Sequence, residues 1–179
     1  MSKLSVHSQV PFSHLISIEG ENVEIPSKTH AFTHLQFRRF AGCPICDMHL
    51  QSFAAGASLL AENHIREVVF FHSSAEALLR YNSKLPFHVI ADPDKTHYKS
   101  FGVESSLRSV LHPSAIWQGL RGVIQKGLGL SLKNGPLGLP ADFLIDDSGV
   151  LVAVKYGVHA YDQWTVHEVL DHAKQTAPT

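Results

Sequence analysis

Cys43-Pro44-Ile45-Cys46 holds the only two cysteines of the chain. Two thiols separated by two residues can close a small, reversible disulfide. They enclose almost no loop, and the entropy that a cross-link removes from the unfolded chain grows with loop length, so the pair cannot staple a fold of this size. The spacing therefore points to redox chemistry or metal binding. His49 lies one turn beyond Cys46 and would give a zinc site a third ligand, but no second cysteine pair is present to complete a usual set. No metal and no cofactor is expected, and His49 reads as a neighbour that tunes Cys46 or as a surface residue.

The placement of the pair matters as much as its spacing. It falls between the end of a strand and the start of a helix, where unpaired backbone N–H groups and the positive end of the helix dipole favour a thiolate over a thiol. Pro44 suits the first turn, where its missing N–H costs nothing. Cys46 is in phase with the apolar stripe Leu50, Phe53 and Ala57, whereas Cys43 precedes the first turn and is expected to be more exposed. On that geometry Cys43 attacks and Cys46 resolves the mixed disulfide. Arg38 and Arg39 lie just upstream, and strand alternation lets at most one of them face the site.

The elements that must position these residues alternate strand and helix. Residues 31–37 read as a strand, though Phe32, Leu35 and Phe37 do not alternate strictly. From Cys46 to Ala61 the apolar spacing is helical. Val68-Val69-Phe70-Phe71 reads as a buried central strand, and Ser73-Ser74-Ala75-Glu76 as a helix start. Residues 87–91 form the next strand, ended by Asp92-Pro93-Asp94, which can cap a short helix to about Phe101. Residues 141–145 and 150–154 flank Asp146-Asp147-Ser148-Gly149 as a β-hairpin. An amphipathic helix near 162–174 closes the chain. The expected fold is α/β, a central mixed sheet flanked by helices, in one domain over residues 1–179. A helical and glycine-rich insertion, 105–138, precedes the final hairpin; Trp117, Leu120, Val123 and Ile124 give it an apolar face that could pack on the sheet, cover the site or form a homodimer.

Bulk properties narrow the function classes. The chain has 179 residues, 44% hydrophobic and 17% charged, a globular composition. A net charge of −1 gives no reason to expect nucleic acid or an acidic membrane surface. No apolar run is long enough to cross a bilayer, and the first residues lack the apolar centre of a secretory signal. A reducing cytoplasm, where a lone C-x-x-C stays poised for exchange, is the expected compartment. The 13 histidines are spread along the chain and read mostly as surface residues.

A second marker is Pro140, in Gly138-Leu139-Pro140-Ala141-Asp142-Phe143, just before an apolar strand. It fits an ordinary loop terminator or a cis bond. Together, a strand, a C-x-x-C at a helix start, a βα unit, a proline before a strand and "FLIDDSGVLVAVKYG" resemble the thioredoxin fold. "HLQFRRFAGCPICDMHL" is similar to the peroxiredoxin-like branch of the AhpC/TSA group, and the resemblance covers roughly residues 10–175. It implies reduction of hydroperoxides, or exchange of thiols with disulfides, with electrons from a partner dithiol protein or small thiol. It also implies that Pro140 is the cis-proline facing the C-x-x-C.

The chain departs from both patterns. Peroxiredoxins usually have Thr-x-x-Cys where it has Cys43-Pro44-Ile45-Cys46, so their peroxidatic cysteine falls on Cys46, while the attacking cysteine of thioredoxins falls on Cys43. The arginine that peroxiredoxins place before the "FLID"-like strand is replaced by Pro140, leaving Arg39 or Arg121 to stand in. The tryptophan and the buried acid of thioredoxins are replaced by Gly42 and Phe37. Three readings follow: a peroxiredoxin-like thiol peroxidase, a disulfide oxidoreductase acting on proteins, and a non-enzymatic redox-sensing module.

Overall fold

The computed structural model describes residues 3–10, 13–82, 85–103 and 138–176. The expected insertion, apart from Gly138, lies outside the described residues, and so does Arg121.

A five-stranded sheet organises the chain. In spatial order it runs β5 (His88–Ala91), β4 (Ile65–Phe71), β3 (Phe32–Arg38), β6 (Ala141–Asp146) and β7 (Leu151–Tyr156). The first three strands are parallel to one another, and β6 and β7 run antiparallel. This is the mixed α/β sheet expected from the strand–helix alternation. A separate hairpin, β1 (Ser13–Ile16) with β2 (Asn22–Ile25), was not legible in the sequence. Its two strands are four residues each, too short to show a period.

The central strand explains its own irregular pattern. Every residue of β3 is buried, so both faces are covered and apolar content need not alternate. Leu35 and Phe37 face a cluster with Phe70, Tyr98, Phe101 and Phe143. Phe37 stacks on Phe70 at 4.6 Å and meets Tyr98 edge-on at 5.0 Å. Phe32 faces the opposite layer, with Phe53, Leu60, Trp164, Val169 and Leu170. His34, Gln36 and Arg38 share that second face by alternation.

The helix after the cysteines is two helices, α1 (Pro44–Ala55) and α2 (Ala57–Glu62), where the spacing predicts one. The break falls at Gly56, where a Cβ would meet the Val166 side chain at 3.0 Å. The missing side chain lets the C-terminal helix, α5 (Val166–Thr176), approach closely. That helix begins later than its apolar pattern suggests because Thr165 caps it. The Thr165 N–H and hydroxyl donate to Glu168 Oε2 at 2.7 and 2.8 Å, and the Glu168 N–H donates back to Thr165 Oγ1. Between these lie α3 (Ala75–Asn82) and α4 (Thr96–Ser100). As expected, the Asp92 carboxylate starts α4, accepting from the N–H groups of Thr96, His97 and Tyr98 at 2.8–3.2 Å.

Candidate active site

Cys43 is the N-cap of α1, in extended conformation with Pro44 in the first helical turn. Its carbonyl accepts the first helical hydrogen bond, from the Asp47 N–H at 2.9 Å. The Ile45 and Cys46 N–H groups favour negative charge on its sulfur, although neither makes a hydrogen bond of ordinary length to it. Cys46 faces inward with Leu50 and Phe53, as its phase predicts.

Exposure does not separate the two thiols. Cys43 is 3% exposed and Cys46 2%, against the expectation that the cap residue is the open one. The reason is packing from near and far in the chain: Phe40, Ala41 and Ile45 pack over the cluster that holds both cysteines with Leu50 and with Val69 and Phe71 of β4. Both are free thiols.

Electrostatics separates them instead. The Cys46 thiol donates to the Cys43 sulfur, and this bond brings the Cys43 pKa down to about 6 against the pull of burial. The Arg39 charge adds to it. Cys46 moves the opposite way, because it holds that shared proton, is buried, and faces the Cys43 charge. The Arg39 backbone N–H and the Arg38 guanidinium work against its rise. The opposite shifts favour a pair that loses its first proton from Cys43 and keeps the second on Cys46.

The two arginines divide as strand alternation requires. Arg38 is fully buried under α1, while Arg39 sits over the Phe40 ring at 5.5 Å and contributes its charge at Cys43. Pro140 precedes β6, whose Ala141 pairs with Phe37, so it lies at the sheet end where β3 delivers the cysteines. Its carbonyl accepts the Gly157 N–H at 2.9 Å. The expected cis bond is not present: among the described residues the cis peptide is Ile25–Pro26. Pro140 continues an extended ladder into β6, a geometry that the ordinary trans bond serves.

Several residues at this end escaped the sequence reading. Tyr161, in the loop between β7 and α5, has its hydroxyl pKa raised by burial and by the Cys43 charge. The Tyr98 hydroxyl, inside the sheet layer, donates to the Arg38 and Phe70 carbonyls. His72 is 2% exposed, and neither ring nitrogen has a hydrogen-bond partner. Burial, then the Lys95 charge, lowers its pKa to about 4, so it is neutral.

The largest omission is a buried polar network beneath α1. Arg38 Nη2 donates to Asp142 Oδ1 and to Gln36 Oε1, each at 2.6 Å, and lies 3.1 Å from His49 Nε2. Gln36 Nε2 donates to Glu67 at 2.6 Å. His34 Nδ1 donates to Glu67 at 2.9 Å, and its Nε2 lies 3.3 Å from Asp142, close enough for charge attraction but not aligned as a hydrogen bond. Burial would push His34 down, but the Glu67 and Asp142 carboxylates raise its pKa to about 9. Burial would raise Asp142, yet the Arg38 charge and His34 hold it well below the usual range. His49 is lowered to about 3 by burial and by Arg38, so its ring is neutral beside the guanidinium. That contact, at 3.1 Å, turns His49 toward Arg38 rather than into a metal site with the cysteines. Among the described residues no three His, Cys, Asp or Glu side chains converge as a metal-ligand set.

A cavity of about 220 Å³ lies away from the cysteines, by α2 and the starts of β4 and β5, with His30, Arg66, Glu67 and His88 on its wall. Among the described residues no helix is long and apolar enough to cross a membrane.

No protein-family model matches the chain, and no curated protein matches it in sequence. Solved structures do match over nearly its whole length. A Mycobacterium tuberculosis peroxidoxin, BcpB, superimposes with a TM-score of 0.69 at 14% identity, covering 97% of this chain and 98% of that one. A peroxiredoxin-like protein from Aquifex aeolicus gives 0.67 at 13% identity, covering 98% and 89%. The reduced 2-Cys peroxiredoxin of Plasmodium vivax gives 0.66 at 12% identity, covering 95% and 94%. With its mixed five-stranded sheet, flanking helices and C-x-x-C at the start of α1, the chain has the thioredoxin-like fold of these peroxiredoxin structures.

Proposed function

We propose that the chain is a thiol-based redox enzyme of peroxiredoxin type, reducing hydroperoxides through the Cys43/Cys46 couple. The observation that carries this is two free thiols in one buried cluster at the N-terminus of α1, Cys43 at the cap and Cys46 in the first turn, and the lowered pKa of Cys43 supports it. The Cys43 thiolate attacks the terminal peroxide oxygen. The S–O bond forms, the O–O bond breaks, and the departing alkoxide or hydroxide takes a proton from solvent. Cys43 is then a sulfenic acid. Cys46 gives up its proton and attacks that sulfur; the S–O bond breaks, water leaves, and the disulfide closes. An external dithiol protein or small thiol returns the pair to its starting state. A reducing compartment such as the cytoplasm suits this cycle.

Arg39 and Pro140 are proposed at the site beside the cysteines: Arg39 as the cation near the thiolate, Pro140 as a wall of the approach. A cysteine only 3% exposed suits a substrate as small as a peroxide better than a disulfide on a folded protein. One observation supports the second reading, disulfide exchange with a protein. The stabilised thiolate is the first cysteine of the pair, the attacking position of thioredoxins, and not the peroxidatic position of peroxiredoxins.

One set of rates separates these readings. Reduced wild type, Cys43→Ser and Cys46→Ser are mixed with hydrogen peroxide, an organic hydroperoxide and insulin disulfide. Fast peroxide consumption that survives one round in Cys46→Ser and vanishes in Cys43→Ser supports the peroxidase with Cys43 attacking. Slow peroxide reaction with fast insulin reduction moves the assignment to disulfide exchange. No turnover of either substrate, with both thiols titrating as ordinary cysteines, removes the enzyme reading.

A further inference from the structure

The mechanism above uses Cys46 twice as a thiolate: when it attacks the sulfenic acid, and when it leaves as the disulfide is reduced. Yet Cys46 is a buried thiol that holds its proton tightly. Something fixed must favour its charge in those two steps. Arg38 is fully buried, and its side chain runs beneath α1 to the ring of His49, one turn beyond Cys46. It is clamped from three elements: by Gln36 on β3, by Asp142 on β6 and by His49 on α1.

We propose that Arg38 is a positioning residue for Cys46, the fixed positive charge toward which the second sulfur ionises when the disulfide closes and reopens. This rests on the reading of Cys43 as the attacking sulfur. Four groups among the described residues act on the Cys46 charge or are acted on by it. They are Cys43 at the α1 cap, Arg38 at the end of β3, the N–H of Arg39 just after it, and Tyr98 on α4. Tyr98 is pushed up by burial and stays neutral, so Arg38 is the one full positive charge in that set. The network keeps the charge in place. Asp142 and Glu67 balance Arg38 and protonated His34, two against two, so the guanidinium needs no counter-ion from solvent and does not swing out. In the closing step the Cys46 proton leaves to solvent, the new thiolate attacks Cys43, the S–S bond forms and hydroxide departs as water. In the reducing step an external thiolate attacks Cys43, the S–S bond breaks, and Cys46 departs as a thiolate and takes a proton.

The test separates the two chemical steps. Sulfenic acid formation and disulfide closure are followed by stopped-flow fluorescence and trapping, in wild type, Arg38→Lys and the double variant Arg38→Met with Asp142→Asn, which removes both charges together. The expected result is unchanged sulfenic acid formation, closure slowed at least tenfold at neutral pH in the double variant, and recovery of closure at higher pH. Arg38→Lys, which keeps the charge, recovers most of the rate. A folded double variant that closes at the wild-type rate with the wild-type pH profile overturns the assignment. If the double variant does not fold, the native chain decides. A buried charge is screened little by salt, so closure holds its rate between about 0.05 and 1 M salt. Closure that slows with salt would place the activating charge at the surface and overturn the role of Arg38. Failure of the first step, with no sulfenic acid on Cys43 in Cys46→Ser, would instead overturn the functional reading on which the role rests.

Discussion

Arg38 Nη2 lies 2.6 Å from Asp142 Oδ1, and both side chains are fully withdrawn from water. Neither charge reaches water, so each depends on the other and on the polar groups around the pair, Gln36 for Arg38 and His34 for Asp142. Removing one partner of a buried pair costs about 3–5 kcal/mol, because the remaining charge is left uncompensated. Asp142→Asn is therefore expected to destabilise the chain by about that amount. The double variant Arg38→Met with Asp142→Asn should lose less, since it leaves no lone guanidinium. Urea unfolding of the three proteins checks this, and equal losses in single and double variants would show the pair to be energetically idle.

The same network makes stability depend on pH through His34. Its folded pKa of about 9 lies above the unfolded value of 6.5. The folded state thus binds the proton more tightly, and the associated stability is fully present below about 6.5 and lost as pH rises through about 9. Cys43 works in the opposite sense across this window. Its folded pKa of about 6 lies below its ordinary value, so it adds stability as pH rises. The measurement therefore belongs in a Cys43→Ser, Cys46→Ala background. There the urea midpoint should fall between pH 6.5 and 9, and His34→Gln should flatten the slope. A flat profile with His34 in place would mean that the ring is neutral when folded.

What the sequence showed, and what it hid, follows from one physical difference. Strand–helix alternation, the α1 cap, the Asp92 cap and the final hairpin rest on local chemistry, and all were legible. The network was not, because His34, Gln36 and Arg38 look like ordinary polar interruptions of a strand. Their meaning comes from Glu67 and Asp142, which lie on β4 and β6, distant in sequence and adjacent in the sheet. A signal did exist: polar residues at every second position of a strand whose neighbours read as buried on both sides. The burial of Cys43 is hidden in the same way, since Val69 and Phe71 of β4 belong to the cluster that holds it. Residues 65–67 of β4 carry no strand signal because Arg66 and Glu67 interrupt the apolar run, and Tyr161 carries none because a loop places it near Cys43.

Ionisation of Cys43 can be read directly. Its alkylation by iodoacetamide should rise with a midpoint near pH 6 and level off above neutrality, since only the thiolate reacts. In Cys46→Ala the largest cause of the low pKa, the bond donated by the Cys46 thiol, is gone. The midpoint should move up toward that of an ordinary cysteine. An unmoved midpoint would assign the thiolate to the helix terminus and Arg39 alone.

Gly157 offers a way to disturb the approach without touching a cysteine. A Cβ at this position would lie 2.6 Å from the Asp162 carbonyl oxygen and 2.9 Å from both Cγ and O of Pro140. Backbone cannot yield as a flexible side chain can, so Gly157→Ala must push the 158–163 loop and Pro140 apart. Overpacking of this kind costs about 1–3 kcal/mol. Tyr161 rides on that loop and senses the Cys43 charge, so the displacement reaches the reactive sulfur. The expected outcome is a folded protein with slower peroxide reaction and an unchanged alkylation midpoint at Cys43, because Cys46, Arg39 and the helix terminus stay where they are. A Gly157→Ala chain with lower stability and full peroxide reactivity would remove the loop and Pro140 from the site. A shifted midpoint would show that the loop helps set the charge on Cys43 as well as the approach to it.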